Sequence, residues 1–413
     1  MSFPIEQVRH RFPALAVTDA GRPRVYFDAP GGTQACADAI DAMRRHLEEG
    51  TANAGGAFAT SEAVDALSAA AHEAVADLIG GAADEVAFGP NMTSLTLAAS
   101  RALAREWAAG DELVVTRLDH DANVAPWLEV AADRGMTVRW LDFDPANGRL
   151  RLDELPALLS ARTRLVAVGG ASNALGSVAD LAAIVAAVRA RSPALVFVDA
   201  VQLAPHAAID VRTLGCDLLA FSPYKLFGPH AGVLWCRRDL AERTAAYKVR
   251  PAGTAGARRF ETGTPSFEAQ AGILAMVGYL DWLGNTVAPA AGTRRERLVA
   301  ALAACDAYEA ELGQALLDGL ARLNSVRLYG PAGMEGRVPT FAFTVEGHAP
   351  AAVARHLAEQ GIFAWSGHFY AVETIARLGL ENSGGLVRVG LCHYNTRAEV
   401  GRLLAALAQL AGR

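Results

Sequence analysis

The strongest constraint on the fold is a change of hydrophobic period along the chain. Between about residues 80 and 240, short apolar runs occur at 86–89, 113–116, 137–142, 164–169, 195–199, 217–221 and 232–236. Longer alanine-rich segments with helical spacing, such as 179–191, lie between several of them. Apolar runs of this length fit strands buried on both faces, and strands alternating with helices build a mainly parallel sheet covered on both sides. Ligands of such sheets sit at the carboxyl ends of the strands, so the residues just after each run are where chemistry is to be sought. After Pro265 the pattern changes: helical stretches at 268–283 and 293–323 precede strands at 340–345 and 387–391 and a closing helix from Thr396. The 413 residues thus divide into an N-terminal arm (1–20), a large α/β domain (21–265) and a smaller α+β domain (266–413). The Gly- and Ala-rich stretch 251–259 reads as a loop before the join.

Charge and composition narrow the function. The formal net charge is −6 with no basic run, which argues against a nucleic acid or an anionic membrane as partner. No apolar stretch approaches the roughly 18 residues that cross a bilayer. The opening MSFPIEQVRHRFPALA lacks the charged and apolar regions of a secretory signal, so a cytoplasmic protein is expected. Cys36, Cys216, Cys236, Cys305 and Cys392 are scattered and form no CxxC pair, so neither a disulfide framework nor a metal site is expected.

Among 38 basic residues only Lys225 and Lys248 are lysines. A bias toward arginine codons accounts for the ratio. A lysine that persists against it is a candidate for work a guanidinium cannot do, because an amine can lose its proton and attack a carbonyl. Asp199 closes the run 195–199, and Ser222, Tyr224 and Lys225 follow the run 217–221. Asp199 and Lys225 stand 26 residues apart, about one strand–helix–strand unit, so both side chains can project into one crevice. A carboxylate beside a pyridine nitrogen makes the ring an electron sink, and a lysine at its aldehyde forms a Schiff base.

The ordered segments VYFDAPGGTQ, RLDHDANVAPW, ASNALGS, FVDAVQLAPH, FSPYKLFGPHAGVLW, FETGTPSFEA and LVRVGLCHYNT resemble the motifs of class V pyridoxal-phosphate enzymes. These are the relatives of cysteine desulfurase and selenocysteine lyase. The resemblance runs from about Val25 to Thr396. It implies a fold-type I enzyme with a mainly parallel seven-stranded sheet, pyridoxal 5'-phosphate as cofactor, and a homodimer with the active site at the interface. Lys225 then matches the Schiff-base lysine, Asp199 the partner of the pyridinium nitrogen, and His120 the histidine stacked on the ring. Gln202 and Asn173 match groups around the ring's phenolic oxygen. Ser222, Tyr224, Met92 and Thr93 fall at the phosphate, with Asn91 opening a helix whose free N–H groups suit an anion. Thr264 matches a threonine that reaches the partner subunit's phosphate, and Arg388 the arginine that grips the substrate carboxylate.

GGASNALG imitates a dinucleotide-binding loop, but its glycines do not fit GxGxxG and it lies mid-chain, so a nicotinamide-binding protein is disfavoured. Two departures from the family pattern bear on the reaction. Desulfurases carry a sulfur-accepting cysteine in a mobile loop before the arginine strand. Here that segment reads AWSGHFYAVE, with Tyr370 at the cysteine's place and no cysteine between Cys305 and Cys392. A persulfide relay needs a thiolate close to the substrate sulfur, which a phenol does not replace. Trp365 also stands where a basic residue is usual, and Tyr224 where a histidine is usual, which points to a more apolar substrate pocket and altered phosphate contacts. The expectation is therefore C–S β-elimination on cysteine or an S-substituted cysteine, with Trp365, His368 and Tyr370 near the substrate. Transamination, racemisation or epimerisation, and decarboxylation of another amino acid are the alternatives, because the bond broken depends on which one stands perpendicular to the ring.

Overall fold

A computed structural model describes residues 3–411; residues 1–2 and 412–413, the outer ends of the expected arm and small domain, lie outside the described residues. The central sheet has seven strands: β1 (Val86–Gly89), β2 (Glu112–Thr116), β3 (Thr137–Leu141), β4 (Thr163–Gly169), β5 (Leu195–Asp199), β6 (Leu218–Phe221) and β7 (Gly232–Cys236). Their order is β1-β7-β6-β5-β4-β2-β3, and only β7 runs antiparallel to its neighbours. This is the expected α/β architecture.

Successive residues of these strands serve two separate cores. Val166, Val168, Val196, Val198 and Phe221 pack on one face, while Leu165, Ala167, Phe197, Leu218 and Ala220 pack on the other. Side chains of a strand point alternately to the two faces, so a sheet covered by helices on both sides needs apolar residues at every position. Each fully buried valine, leucine or phenylalanine contributes about 1.5–3 kcal/mol relative to exposure, which is why these runs carry no polar alternation.

A second sheet is antiparallel throughout, with β8 (Val326–Tyr329), β9 (Thr340–Val345), β10 (Trp365–Gly367) and β11 (Leu386–Gly390) in the order β8-β9-β11-β10. The periodicity reveals β9 and β11 but neither β8 nor β10. β10 has only three residues and no strand composition; it exists because β11 offers it a ladder, with Trp365 opposite Arg388.

The helix Phe267–Val287 gives Ile273, Met276, Val277, Leu280 and Leu283 to the core that holds Val196 and Val198. The helix Arg294–Leu320 sends Leu298, Ala301 and Leu302 to that core and Leu312, Leu316, Leu317 and Leu320 to the core under the second sheet. Near the other end of the chain, Val25–Tyr26 pairs in parallel with Ile362–Phe363, and Val25 and Phe27 join the second core. We propose that the helix Arg294–Leu320 joins the large domain (21–265) and the smaller one (266–413) by serving both cores, with Val25 and Phe27 packing in the smaller one's core. Among the described residues no helix is long and apolar enough to cross a membrane.

Candidate active site

The carboxyl ends of β1, β2, β4, β5 and β6 converge on one crevice. Nine of the residues singled out from the sequence line a recess at its base: Met92, Thr93, His120, Asn173, Asp199, Gln202, Ser222, Tyr224 and Lys225. Asp199 is the last residue of β5, and its Oδ1 accepts from the Val201 amide at 2.9 Å. Lys225 closes the short 3-10 turn Pro223–Lys225 after β6. β5 and β6 are neighbours in register, Asp199 beside Ala220, so both side chains leave the sheet at one level. Both are buried. Burial, reinforced by the charge of Arg388, pushes the Lys225 amine down, and burial pushes the Asp199 carboxyl up, while each opposes the shift of the other. A buried amine with a depressed pKa is a nucleophile near neutral pH.

The turn bearing Lys225 is clamped by the N-terminal segment. Thr33 N–H donates to the Tyr224 carbonyl at 3.1 Å, Phe227 N–H to Thr33 Oγ1 at 2.9 Å, and Cys36 N–H to the Phe227 carbonyl at 2.9 Å. Asn91 caps the helix Met92–Leu103, and the Met92 N–H donates to Ser222 Oγ at 3.1 Å.

His120 sits at the start of the turn Asp121–Asn123, where its Nδ1 accepts the Ala122 N–H at 3.0 Å. Burial, then the charges of Lys225 and Arg388, pull its pKa down to about 3, so the ring is neutral and carries its proton on Nε2. Local capping and exposure of the ring face to the recess therefore coexist. Its neighbour Asp119, which the sequence reading passed over, is buried and accepts from Thr116 Oγ1 (2.7 Å), Asn123 Nδ2 (2.8 Å) and Gly169 N–H (3.0 Å). These bonds tie the His120 turn to the end of β4.

A larger cavity of about 1060 Å³ opens above the recess. Trp365, His368, Tyr370 and Arg388 line it together with Thr93, His120, Asn173, Tyr224 and Lys225. Arg388 is buried on β11; its Nη1 donates to the Asn173 carbonyl at 2.8 Å, and burial pulls its pKa down to about 9. Among the described residues, Asn173 Oδ1, Gln202 Oε1 and Arg388 Nε are buried without a hydrogen-bond partner. Buried polar groups left unpaired are costly, and Asn173 and Gln202 at the recess with Arg388 at the cavity above it mark a place built for a polar ligand. With the buried Asp199 and Lys225, this donor and acceptor set fits a phosphorylated pyridine aldehyde and an amino acid.

The segment after β10 is anchored. Asn173 Nδ2 donates to the Phe369 carbonyl (2.8 Å), Asp121 N–H to the Tyr370 carbonyl (2.7 Å) and Ala371 N–H to the His368 carbonyl (2.7 Å). The Tyr370 ring stacks over His120 with centroids 5.5 Å apart. Phe369 and Asp28 escaped the sequence reading although both lie in quoted segments. Phe369 covers the Arg388 guanidinium, and Asp28, pushed up to about 6 by burial, feels the charge of Arg388. Their only sequence signal is proximity to a motif.

Thr264 does not join this constellation within one chain. It lines a separate cavity of about 520 Å³ with His230, Glu261 and Gln270. All five cysteines are buried, and among the described residues none lines the recess or the larger cavity. Burial raises every thiol well out of the reactive range. No group of three or more His, Cys, Asp or Glu residues among those described is placed to hold a metal ion.

A family model described as Aminotransferase class-V matches residues 25–403. A protein of Serratia proteamaculans named cysteine desulfurase is 31% identical over 99% of this chain and 99% of its own. An aminotransferase-like protein of Gibberella zeae is 32% identical over 98% of this chain and 98% of its own. Among solved structures, an apo cysteine desulfurase from Thermococcus onnurineus superposes with a TM-score of 0.88 at 26% identity, covering 100% of this chain and 99% of that one.

Proposed function

The chain belongs to the aminotransferase class-V family of pyridoxal-phosphate-dependent enzymes, and from that premise we propose that it is a C–S β-lyase acting on cysteine or an S-substituted cysteine. The observation that carries this reading is the absence, among the described residues, of any cysteine at the cavity, together with the anchored Tyr370 where a relay cysteine would stand. Sulfur transfer to the enzyme needs a mobile thiolate; elimination of an intact thiol needs none.

In this reading Lys225 would hold the cofactor through its aldehyde, Asp199 would serve the ring nitrogen and His120 the ring. Gln202 and Asn173 serve its edge, while Ser222, Tyr224, Thr93 and the Met92 N–H serve the phosphate. When bound, the cofactor supplies a sink for the electron pair left at the substrate Cα. Lys225 would be the base for the Cα proton; burial pulls its pKa down to about 7, so a large share of the amine is uncharged near neutral pH. Arg388, which lines the cavity and uses only Nη1 in a hydrogen bond among the described residues, would pair with the carboxylate through its remaining guanidinium nitrogens. His120 keeps Nδ1 occupied and offers only an N–H to the site. The Cβ–S bond breaks with its electron pair going to sulfur, and His368 or Tyr370 at the cavity wall delivers a proton to it. With one water consumed, the products are a thiol, pyruvate and ammonium. Thr264, exposed and apart from Lys225, is supplied to a second subunit's site in a homodimer.

Product analysis tests the reading. Incubation with cysteine and S-alkyl cysteines is expected to yield pyruvate and a thiol in equal amounts, and Lys225→Ala is expected to lose the yellow absorbance. Alanine with sulfane sulfur would overturn it in favour of desulfuration. A keto acid that retains the sulfur, formed with an aminated acceptor, would overturn it in favour of transamination.

A further inference from the structure

Two contacts restrain the Arg388 guanidinium, a single hydrogen bond and an aromatic ring. One bond, from Nη1 to the Asn173 carbonyl, leaves the planar group free to turn about that contact. The second restraint is the ring of Phe369, with Arg388 Cζ 4.3 Å from its centroid. A cation over an aromatic face is attracted by the ring quadrupole, more strongly where water is excluded, and Arg388 is only 4% exposed. The third side of the triangle is Asn173 itself, whose Nδ2 donates to the Phe369 carbonyl at 2.8 Å. Arg388, Asn173 and Phe369 thus form a closed circuit in which, among the described residues, Nη2 and the buried Nε make no hydrogen bond, and Nη2 is the unbonded nitrogen not sealed from the cavity.

The backbone that presents Phe369 is held in an uncommon conformation. Phe369 and Tyr370 have φ of 53° and 57°, two consecutive non-glycine residues in the left-handed region. Such residues persist only where the surroundings over-determine them, and they cluster at ligand clamps. Here the bonds from Asn173, Asp121 and Ala371 hold the backbone of the turn, which places the Phe369 Cα beside Arg388.

We propose that Phe369 is a positioning residue for substrate recognition: it fixes the plane of Arg388 so that the free edge of the guanidinium faces the carboxylate of the incoming amino acid. The proposal rests on the reading of Arg388 as the carboxylate-binding group and is independent of which bond the enzyme then breaks.

The test compares the affinity of the holoenzyme for two amines, read from the change in cofactor absorbance on mixing. S-methyl-L-cysteine carries the carboxylate and S-methylcysteamine does not. In Phe369→Ala and in Phe369→Leu, which keeps bulk without a π face, the dissociation constant for S-methyl-L-cysteine is expected to rise about tenfold. That for S-methylcysteamine is expected to stay within about twofold. Phe369→Tyr, which keeps the ring face, is expected to stay within about threefold of the parent for both. A general structural defect would weaken both ligands alike and would overturn the proposal. So would unchanged selectivity in the alanine and leucine variants when Arg388→Lys loses it. Should Arg388→Lys itself keep full selectivity, the carboxylate reading of Arg388 falls, and the proposal with it.

Discussion

Gly176→Ala would strain the seam between the two sheets at the point where it touches the site. Gly176 has φ +78°, and a Cβ there would lie 2.4 Å from the Thr340 carbonyl oxygen and 3.0 Å from that of Val338. Both obstacles are backbone at the start of β9, so neither can swing aside. Placing alanine in the left-handed region costs about 1–2 kcal/mol. Shifting packed backbone to admit the methyl group adds about 1–3 kcal/mol, as for an overfilled core. The expected loss is about 3 kcal/mol, and with about 2.1 cal/mol/K of unfolding entropy per residue this lowers Tm by about 3–4 °C. The displacement also has a chemical address. Val338 N–H donates to the Gly176 carbonyl at 2.8 Å, and Thr340 Oγ1 accepts from Gln202 Nε2 at 3.0 Å. Asn173, three residues before Gly176, accepts the bond from Arg388. The affinity for S-methyl-L-cysteine is therefore expected to fall about tenfold alongside stability. Thermal unfolding of cofactor-saturated enzyme and the rapid absorbance change on mixing, read before turnover, measure the two effects. A variant that melts within about 1 °C of the parent would refute the steric reasoning, and a loss of stability with unchanged affinity would refute the coupling to the site.

Three further outcomes are expected. Glu309 is fully buried and accepts from His206 Nδ1 at 2.7 Å; burial would raise its pKa, but His206 and His393 outweigh that and hold it below 4.5. Glu309→Gln is expected to cost about 3 kcal/mol in urea unfolding at neutral pH. Because a depressed carboxylate stabilises above its unfolded pKa and loses that contribution as pH falls through its folded value, the gap between parent and variant should narrow in acid. Asp119 has the opposite sign: burial pushes it up to about 7 from 3.8, so the folded state binds the proton more tightly and stability falls as pH rises between those values. Between pH 4 and 8 the stability of Asp119→Asn is expected to gain on the parent by about 4 kcal/mol, and a pH-independent difference would rule this out. Ser222→Ala removes the acceptor of the buried Met92 N–H, and cofactor retention on dialysis is expected to weaken about tenfold.

What could be read along the chain was what is local. A strand buried on both faces must be apolar at each position, so the limits of β1, β5 and β7 fall where the hydrophobic runs fall. The end of such a strand must face the crevice, so Asp199 and Lys225 were visible from spacing and residue type, and the ordered motifs supplied the family. The seam between the domains was not legible in this way. β10 borrows its ladder from β11, and the helix Phe267–Val287 shares a core with strands some 70–100 residues away, contacts that leave no periodic trace. Val25 and Phe27 likewise join a core made near the other end of the chain. The same holds at the site. AWSGHFYAVE read as the counterpart of a mobile loop, and only the tertiary structure anchors it, by bonds from Asn173 and Asp121 roughly 200–250 residues away. Residue type can name a lysine that must be chemical. The plane of Arg388, the tautomer of His120 and the seclusion of all five thiols depend on which atoms lie within hydrogen-bond or van der Waals reach, and that is decided by the packing of distant segments against one another.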